Sequence, residues 1–307
     1  MAGVFVFSED SAIGKQLLTP ALELKKSLGQ PVVALSTREA DAKEYAAFGA
    51  DRVIVLKSEA SPEALAPAIC NLIAKEQASV VLIGGTLRGK HVASQVAAKL
   101  DAPMITDAKT LKIADGKLET TRLLYAGLAV DEGVSSLPAV ATVPTRTFLP
   151  PTAAATTGAI ETVEATPDTR VTISKVTPIV SEGVDISSAN RLVSVGRGFK
   201  KKEDLNLAEG LAAAMKAEVS CSRGIAEDEH WLPLERYVGI SGQQVKPEIY
   251  LAVGLSGQVQ HMVGCRESKL IVAVNSDERA PIFEAADYGI VGDLYEVLPL
   301  LATALKN

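Results

Sequence analysis

The chain has 307 residues, 47% of them hydrophobic and 22% charged, and carries a net charge of -6. That is length for about two domains and apolar content for a sizeable core, while the acidic balance argues against nucleic acid as the principal partner. No apolar run nears the ~18 residues of a membrane span, so the chain is not expected to be membrane-embedded. In chain order, Val4 to Phe7, Val32 to Leu35, Arg52 to Leu56 and Val80 to Ile83 read as short buried strands. Between them, Leu17 to Leu28, Ala40 to Phe48 and Ala64 to Lys75 read as helices. This alternation predicts a mostly parallel sheet covered on both faces.

The rhythm then changes. Ala108 to Ile113 and Lys117 to Leu124 flank Asp115-Gly116, a good hairpin turn. Ala139 to Val143, Arg146 to Leu149 and, after the interruption from Pro150 to Thr157, Arg170 to Val176 are expected as further strands. The polar stretch Ser181 to Asn190 is expected to link two domains, at 1–187 and 188–307. Beyond it the alternation restarts with Leu192 to Val195, a helix over Leu205 to Lys216, Glu218 to Cys221, Ile249 to Val253, a helix from Ser256, Leu270 to Val274 and a final helix from Tyr295. The fold class is therefore α/β: an N-terminal βα sheet domain and a smaller, doubly wound C-terminal one.

Met1-Ala2-Gly3 runs directly into an apolar strand without a basic or Arg-rich leader, which points to the cytoplasm. Cys70, Cys221 and Cys265 are far apart and never in C-x-x-C, so neither a disulfide frame nor a metal site is expected.

Apolar runs in the second domain repeatedly end in small or polar residues: Gly196-Arg197-Gly198, Ser222-Arg223-Gly224, Gly239-Ile240-Ser241-Gly242, Gly254-Leu255-Ser256-Gly257 and Asn275-Ser276-Asp277. Open α/β sheets bind ligands at the carboxyl ends of their strands, so these tips are expected to gather into one site. The stretch from Glu248 to Gly264 is the most informative of them. An apolar strand, a glycine turn and a helix start make an anion site, with the His261 imidazole just behind it. Gly196-Arg197-Gly198-Phe199-Lys200-Lys201 lacks the third glycine of a dinucleotide fingerprint. Gly84 to Lys90 spells G-x-x-x-x-G-K, but His91 stands where a magnesium-binding hydroxyl is required. The rival reading, a non-redox nucleotide-binding regulatory module, would use that Gly84–Lys90 loop. No serine sits in G-x-S-x-G, and catalytic residues are not expected.

Five segments carry a resemblance: SVGRG from Ser194, Ser222-Arg223, YVGISGQQVKPEIYLAVGLSGQVQHMVG from Tyr237, SKLIVAVNSD from Ser268 and APIFEAADYGIVGDLYEVLP from Ala280. Together they resemble the C-terminal FAD-binding domain of electron-transfer flavoprotein alpha subunits. The first domain matches by rhythm and length alone. The resemblance implies FAD as cofactor and a heterodimer with a beta subunit, whose core includes the first domain. It implies electron carriage from dehydrogenases, such as acyl-CoA dehydrogenases, to a quinone reductase or other acceptor, rather than an enzyme with its own substrate. It implies that Arg223 lies beside the flavin ring, Ser241 near N5 and His261 at the N1/O2 edge, where reduced flavin holds negative charge. Ser256 and Gly257 would meet the pyrophosphate, and Asn275 and Asp293 the adenosine half. Arg197, Ser222, Val238, Gly239, Ile240, Gly254, Gln258, Gln260 and Leu294 would complete the lining. Two positions depart from the family: Ile240 and Ser241 in a loop that usually reads G-Q-T-G, and Ser276 where lysine is frequent.

Overall fold

The computed structural model describes residues 2–58, 60–154, 157–177 and 185–305. The chain divides into two compact units, 1–176 and 177–307.

In the first unit, β1 (Val4–Phe7), α1 (Ser11–Leu28), β2 (Val32–Ser36), α2 (Glu39–Ala47), β3 (Arg52–Lys57), α3 (Pro62–Lys75), β4 (Val80–Gly84) and α4 (Leu87–Leu100) alternate. They are followed by β5 (Met104–Ile105), β6 (Ala108–Ala114), β7 (Lys117–Leu124), β8 (Ala129–Ser135), β9 (Ala139–Val143) and β10 (Ala159–Glu164). Seven strands form a parallel sheet in the order β10-β3-β2-β1-β4-β9-β5. Because helices cover both faces, successive residues of one strand enter different cores. Val4 and Val6 pack with Leu17, Leu24 and Tyr45, whereas Phe5 and Phe7 pack with Ile69, Ile73 and Val92. The helices start and stop where local chemistry directs. Asp10 accepts from the Ala12 and Ile13 amides, and Gly29 ends α1 at φ +65°.

The β6–β7 hairpin turns at Asp115-Gly116, both residues with positive φ, as the sequence predicts. β8 adds a third antiparallel strand that the sequence reading did not foresee. Two expected strands are absent. Residues 146–149 form a turn, with Arg146 at φ +59° and its amide held by Gln16 Oε1 at 2.6 Å. Residues 171–176 are exposed and without regular structure. The strand of that region is instead β10, an edge strand paired to β3 and tied by Arg52 to Glu161. A strand exists only against a partner ladder, and hydropathy along one segment does not identify the partner. The expected linker at 181–190 lies partly outside the described residues.

The second unit holds β11 (Arg191–Val195), α5 (Leu205–Met215), β12 (Glu218–Cys221), β13 (Ile249–Val253), α6 (Val259–Cys265), β14 (Ile271–Asn275), α7 (Ile282–Ala285), β15 (Tyr288–Val291) and α8 (Leu294–Ala304). Its five strands are parallel in the order β12-β11-β13-β14-β15. Again two cores form. Val193, Val195, Leu251 and Val253 meet Leu211 and Leu298 on one face, while Leu192, Tyr250 and Ala252 meet Met262 and Ile282 on the other. The chain leaves β11 toward β12 and returns on the far side as β13. The loops after β11 and β13 therefore diverge and open a crevice between them.

Candidate functional site

Elementary sheet geometry puts the site where that crevice opens. A cavity of about 650 Å³ lies there, within the ~300–1,000 Å³ usual for ligand sites. Its floor is built from the ends of β11, β12, β13 and β14, each delivering the turn residues noted in the sequence. Tyr237 and Val238 contribute through single bridges to Cys221 and Gln243, not as a full strand.

Two glycines make the floor possible. Gly254 has φ +60°, and a Cβ there would lie 2.9 Å from the Gly198 Cα. Gly257 has φ +76°, and its Cβ would lie 2.4 Å from the Ile282 backbone. The Gly198 amide donates to the Gly254 carbonyl at 3.0 Å, so the loops after β11 and β13 cross in backbone contact. Helix α6 starts at Val259, not at the expected Ser256. Ser256 and Gly257 belong to a loop that holds itself open, with the Ser256 carbonyl accepting from the Ile282 amide at 3.0 Å. The glycine φ values delay the helix, because left-handed backbone cannot be part of a right-handed turn.

The expected site residues gather closely. Arg197, Ser222, Arg223, Val238, Ile240, Ser241, Gly254, Ser256, Gly257, Gln258, Gln260, His261 and Asn275 all line the cavity. Gly239 sits behind the lining, its amide turned to the Gln243 carbonyl. Asp293 and Leu294 border a smaller pocket of about 210 Å³, together with Lys200, Ser276 and Tyr295. The two pockets share Gly198, Gly254 and Asn275. Asn275 is held on both sides, donating to the Leu255 carbonyl at 2.7 Å and accepting from the Asp277 amide at 3.0 Å. Asp293 caps α8 by accepting from the Tyr295 amide at 2.9 Å.

Sequence reasoning missed several neighbours. The Tyr237 hydroxyl shares a 2.8 Å hydrogen bond with Ser241 Oγ and so orients it. Glu227 pairs with Arg223 at 2.5 Å and offsets part of its charge. Asp228, Ala280 and Pro281 also line the cavity. Tyr250 reads from sequence as plain core, yet its hydroxyl lies 2.8 Å from His261 Nε2. A buried phenol needs a polar partner, and that requirement was the available signal.

His261 is the electrostatic centre. Burial lowers its pKa to about 4, only partly offset by the Val238 backbone, so the ring is neutral at pH 7. Its Nδ1 is buried and has no hydrogen-bond partner. An orphaned ring nitrogen beside a cavity calls for a ligand atom of matching polarity.

The family model described as "Electron transfer flavoprotein domain" matches residues 5–168, and that described as "Electron transfer flavoprotein FAD-binding domain" matches residues 185–266. The chain belongs to the electron-transfer flavoprotein alpha family. "Protein FixB" of Salmonella typhimurium is 39% identical over 100% of this chain and 99% of its own length. "Protein FixB" of Escherichia coli O157:H7 is 40% identical over 99% of this chain and 98% of its own. The chain is thus an electron-transfer flavoprotein alpha subunit with a flavin-binding role. The site fits such a group, with a glycine-floored crevice, two arginines, three serines and the unpartnered His261 Nδ1.

The Gly84–Lys90 loop serves the fold instead. Thr86 Oγ1 caps α4 by accepting from the Gly89 amide at 2.8 Å, and donates to Glu9. Lys90 pairs with Asp107 at 2.8 Å. A Cβ at Gly89 would meet the Gly84 carbonyl at 1.9 Å, so glycine is required there for packing. The cap is filled, the cation is paired and a carboxylate stands alongside, which suits no phosphate. No helix among the described residues is long and apolar enough to cross a membrane, and they contain no His/Cys/Asp/Glu group able to hold a metal.

Proposed function

We propose that this alpha subunit binds FAD in the crevice of its C-terminal unit. Paired with a beta subunit, it would carry electrons from dehydrogenases, acyl-CoA dehydrogenases among them, to a quinone reductase or another acceptor. The observation that carries this reading is His261, a neutral, part-buried imidazole with an orphaned nitrogen beside a cavity of about 650 Å³. When bound, the flavin supplies the reversible electron uptake; the protein supplies orientation and field. Ser256, Gly257 and Gln258 offer the loop that receives the pyrophosphate, and Gly254 lets that loop approach the backbone after β11. Ser222, Arg223, Val238, Ile240 and Ser241 bound the end suited to the ring. The Arg223 guanidinium favours added negative charge there, tempered by Glu227. Ser241, oriented by Tyr237, presents a hydroxyl at the ring edge, and His261 serves the N1/O2 side. Ile240 is 56% exposed at the mouth and contributes apolar surface in place of an amide. Arg197, Asn275, Asp293 and Leu294 lead toward the smaller pocket, which suits the adenosine half.

The beta subunit would dock on the three-stranded sheet of the first unit. Leu123, Tyr125, Leu128, Val130 and Val134 are all exposed there, an apolar group of the kind that partners cover. Three free, buried cysteines agree with a reducing cytoplasm. The test is the visible absorption spectrum of the chain purified with its natural partner. Flavin bands, with FAD released on denaturation, are expected. A colourless complex that takes up no FAD on incubation would defeat the reading.

A further inference from the structure

We propose that Tyr250 is a positioning residue for this site: its hydroxyl holds His261 in the tautomer with the proton on Nδ1, so that a neutral imidazole presents an N–H to the cofactor. The inference rests on the flavin reading above and deepens it, by naming the protonated atom and the residue that sets it.

Tyr250 lies in β13, fully buried, on the sheet face that packs under α6. Its hydroxyl oxygen is 2.8 Å from His261 Nε2. The ring centroids are 6.1 Å apart at 52°, so the hydroxyl rather than a stacked face makes the contact. The direction of this bond follows from acid–base chemistry. A phenol is a stronger acid than a neutral imidazole N–H, and an imidazole ring nitrogen is a stronger base than a phenol oxygen. Tyr250 therefore donates and Nε2 accepts. In a neutral ring the other nitrogen must then carry the proton.

That other nitrogen is the orphan. Nδ1 is buried and closes no full hydrogen bond within the protein; the Val238 backbone acts on the ring and also favours a ring N–H. A buried N–H without an acceptor is costly, and the cost is relieved if a ligand supplies one. The N1 and O2 atoms of oxidised flavin are both acceptors, and both gain electron density on reduction. An N–H facing them attracts, and more strongly after reduction; a lone pair facing them repels. Burial disfavours the imidazolium at neutral pH, so a donor at this place depends on the tautomer. Free histidine favours a proton on Nε2, so the site must impose the opposite choice; Tyr250 is the side chain placed to impose it, at Nε2, with the Val238 backbone also favouring a ring N–H.

The chain has three histidines, His91, His230 and His261, so the tautomer can be read directly. The full complex, its alpha chain labelled with ¹⁵N-histidine, is examined by long-range ¹H–¹⁵N correlation at pH 7, with and without FAD. His261 is assigned by the signals lost in His261→Gln. The expected wild-type result is a protonated Nδ1 and an unprotonated Nε2. Tyr250→Phe is expected to move the ring to a mixture or to the Nε2–H form, and to lower the potential of the bound flavin. A wild-type ring protonated on Nε2 overturns the proposal even if Tyr250→Phe proves too unstable to study. An unchanged tautomer in Tyr250→Phe overturns it too. Failure of the wild-type complex to take up FAD would count against the flavin reading instead, while the ligand-free spectrum still decides the role of Tyr250.

Discussion

Glycine-to-alanine substitution should have opposite effects at two positions of the C-terminal unit. At Gly257 the backbone is left-handed at φ +76°, and an added Cβ would stand 2.4 Å from both the N and Cα of Ile282. Left-handed backbone costs a residue with a Cβ about 1–2 kcal/mol. Overpacking against backbone, which no rotamer change relieves, adds roughly 1–3 kcal/mol. The total of about 2–5 kcal/mol falls on the loop between β13 and α6. The loop can shed the strain by moving, at the cost of its contact with Ile282 and of the cradle shape. Gly257→Ala is therefore expected to weaken FAD binding by about 30-fold or more, since ~1.4 kcal/mol is tenfold. At Gly210, in the interior of α5, an added Cβ meets nothing within 4 Å. There the substitution only narrows the unfolded chain, and Gly210→Ala should stabilise by about 0.5–1 kcal/mol, raising Tm by roughly 2–4 °C. Fluorescence titration with FAD and thermal denaturation of both variants read these effects. Unchanged FAD affinity and Tm in Gly257→Ala would refute the claim that the cradle depends on backbone proximity.

Three further outcomes are expected. The folded-state pKa of His261, about 4, lies below its ordinary 6.5, so between those values the unfolded chain takes up a proton that the folded chain refuses. At 1.36 kcal/mol per pKa unit, this gap removes about 3 kcal/mol of stability as pH falls from 6.5 to 4. His261→Gln should show a correspondingly smaller loss between pH 7 and 4.5 in urea denaturation, and an identical loss would contradict the burial argument. Lys90→Ala should cost no more than about 1 kcal/mol, because the pair with Asp107 is only half-buried and open to solvent screening, and should leave flavin content unchanged; flavin loss on absorption spectroscopy would reopen a ligand role for that loop. Val130→Asp with Val134→Lys should leave the fold of the chain intact by circular dichroism yet prevent co-purification with the beta subunit, and normal heterodimer yield would rule this face out as the docking surface.

The parallel architecture and most of the cavity lining were legible from the residues alone. Strands such as Val4–Phe7 and Val80–Gly84 are apolar on both sides because helices cover both faces, so their position is visible without a partner. The loops at the strand tips were equally legible, because their glycines and hydroxyls interrupt apolar runs. What stayed hidden depends on contacts between distant segments. β10 is a strand because β3 offers it a ladder and Arg52 a countercharge for Glu161, whereas residues 171–176, more apolar on paper, are exposed without regular structure. Helix α6 starts after Gly257 because Ile282, 25 positions on, shapes the preceding loop. The state of His261 was beyond sequence altogether: an imidazole is a base, an acid or a neutral donor according to its burial and its partner. Only the tertiary structure buried this ring, placed the Tyr250 hydroxyl 2.8 Å from Nε2 and left Nδ1 without a hydrogen bond.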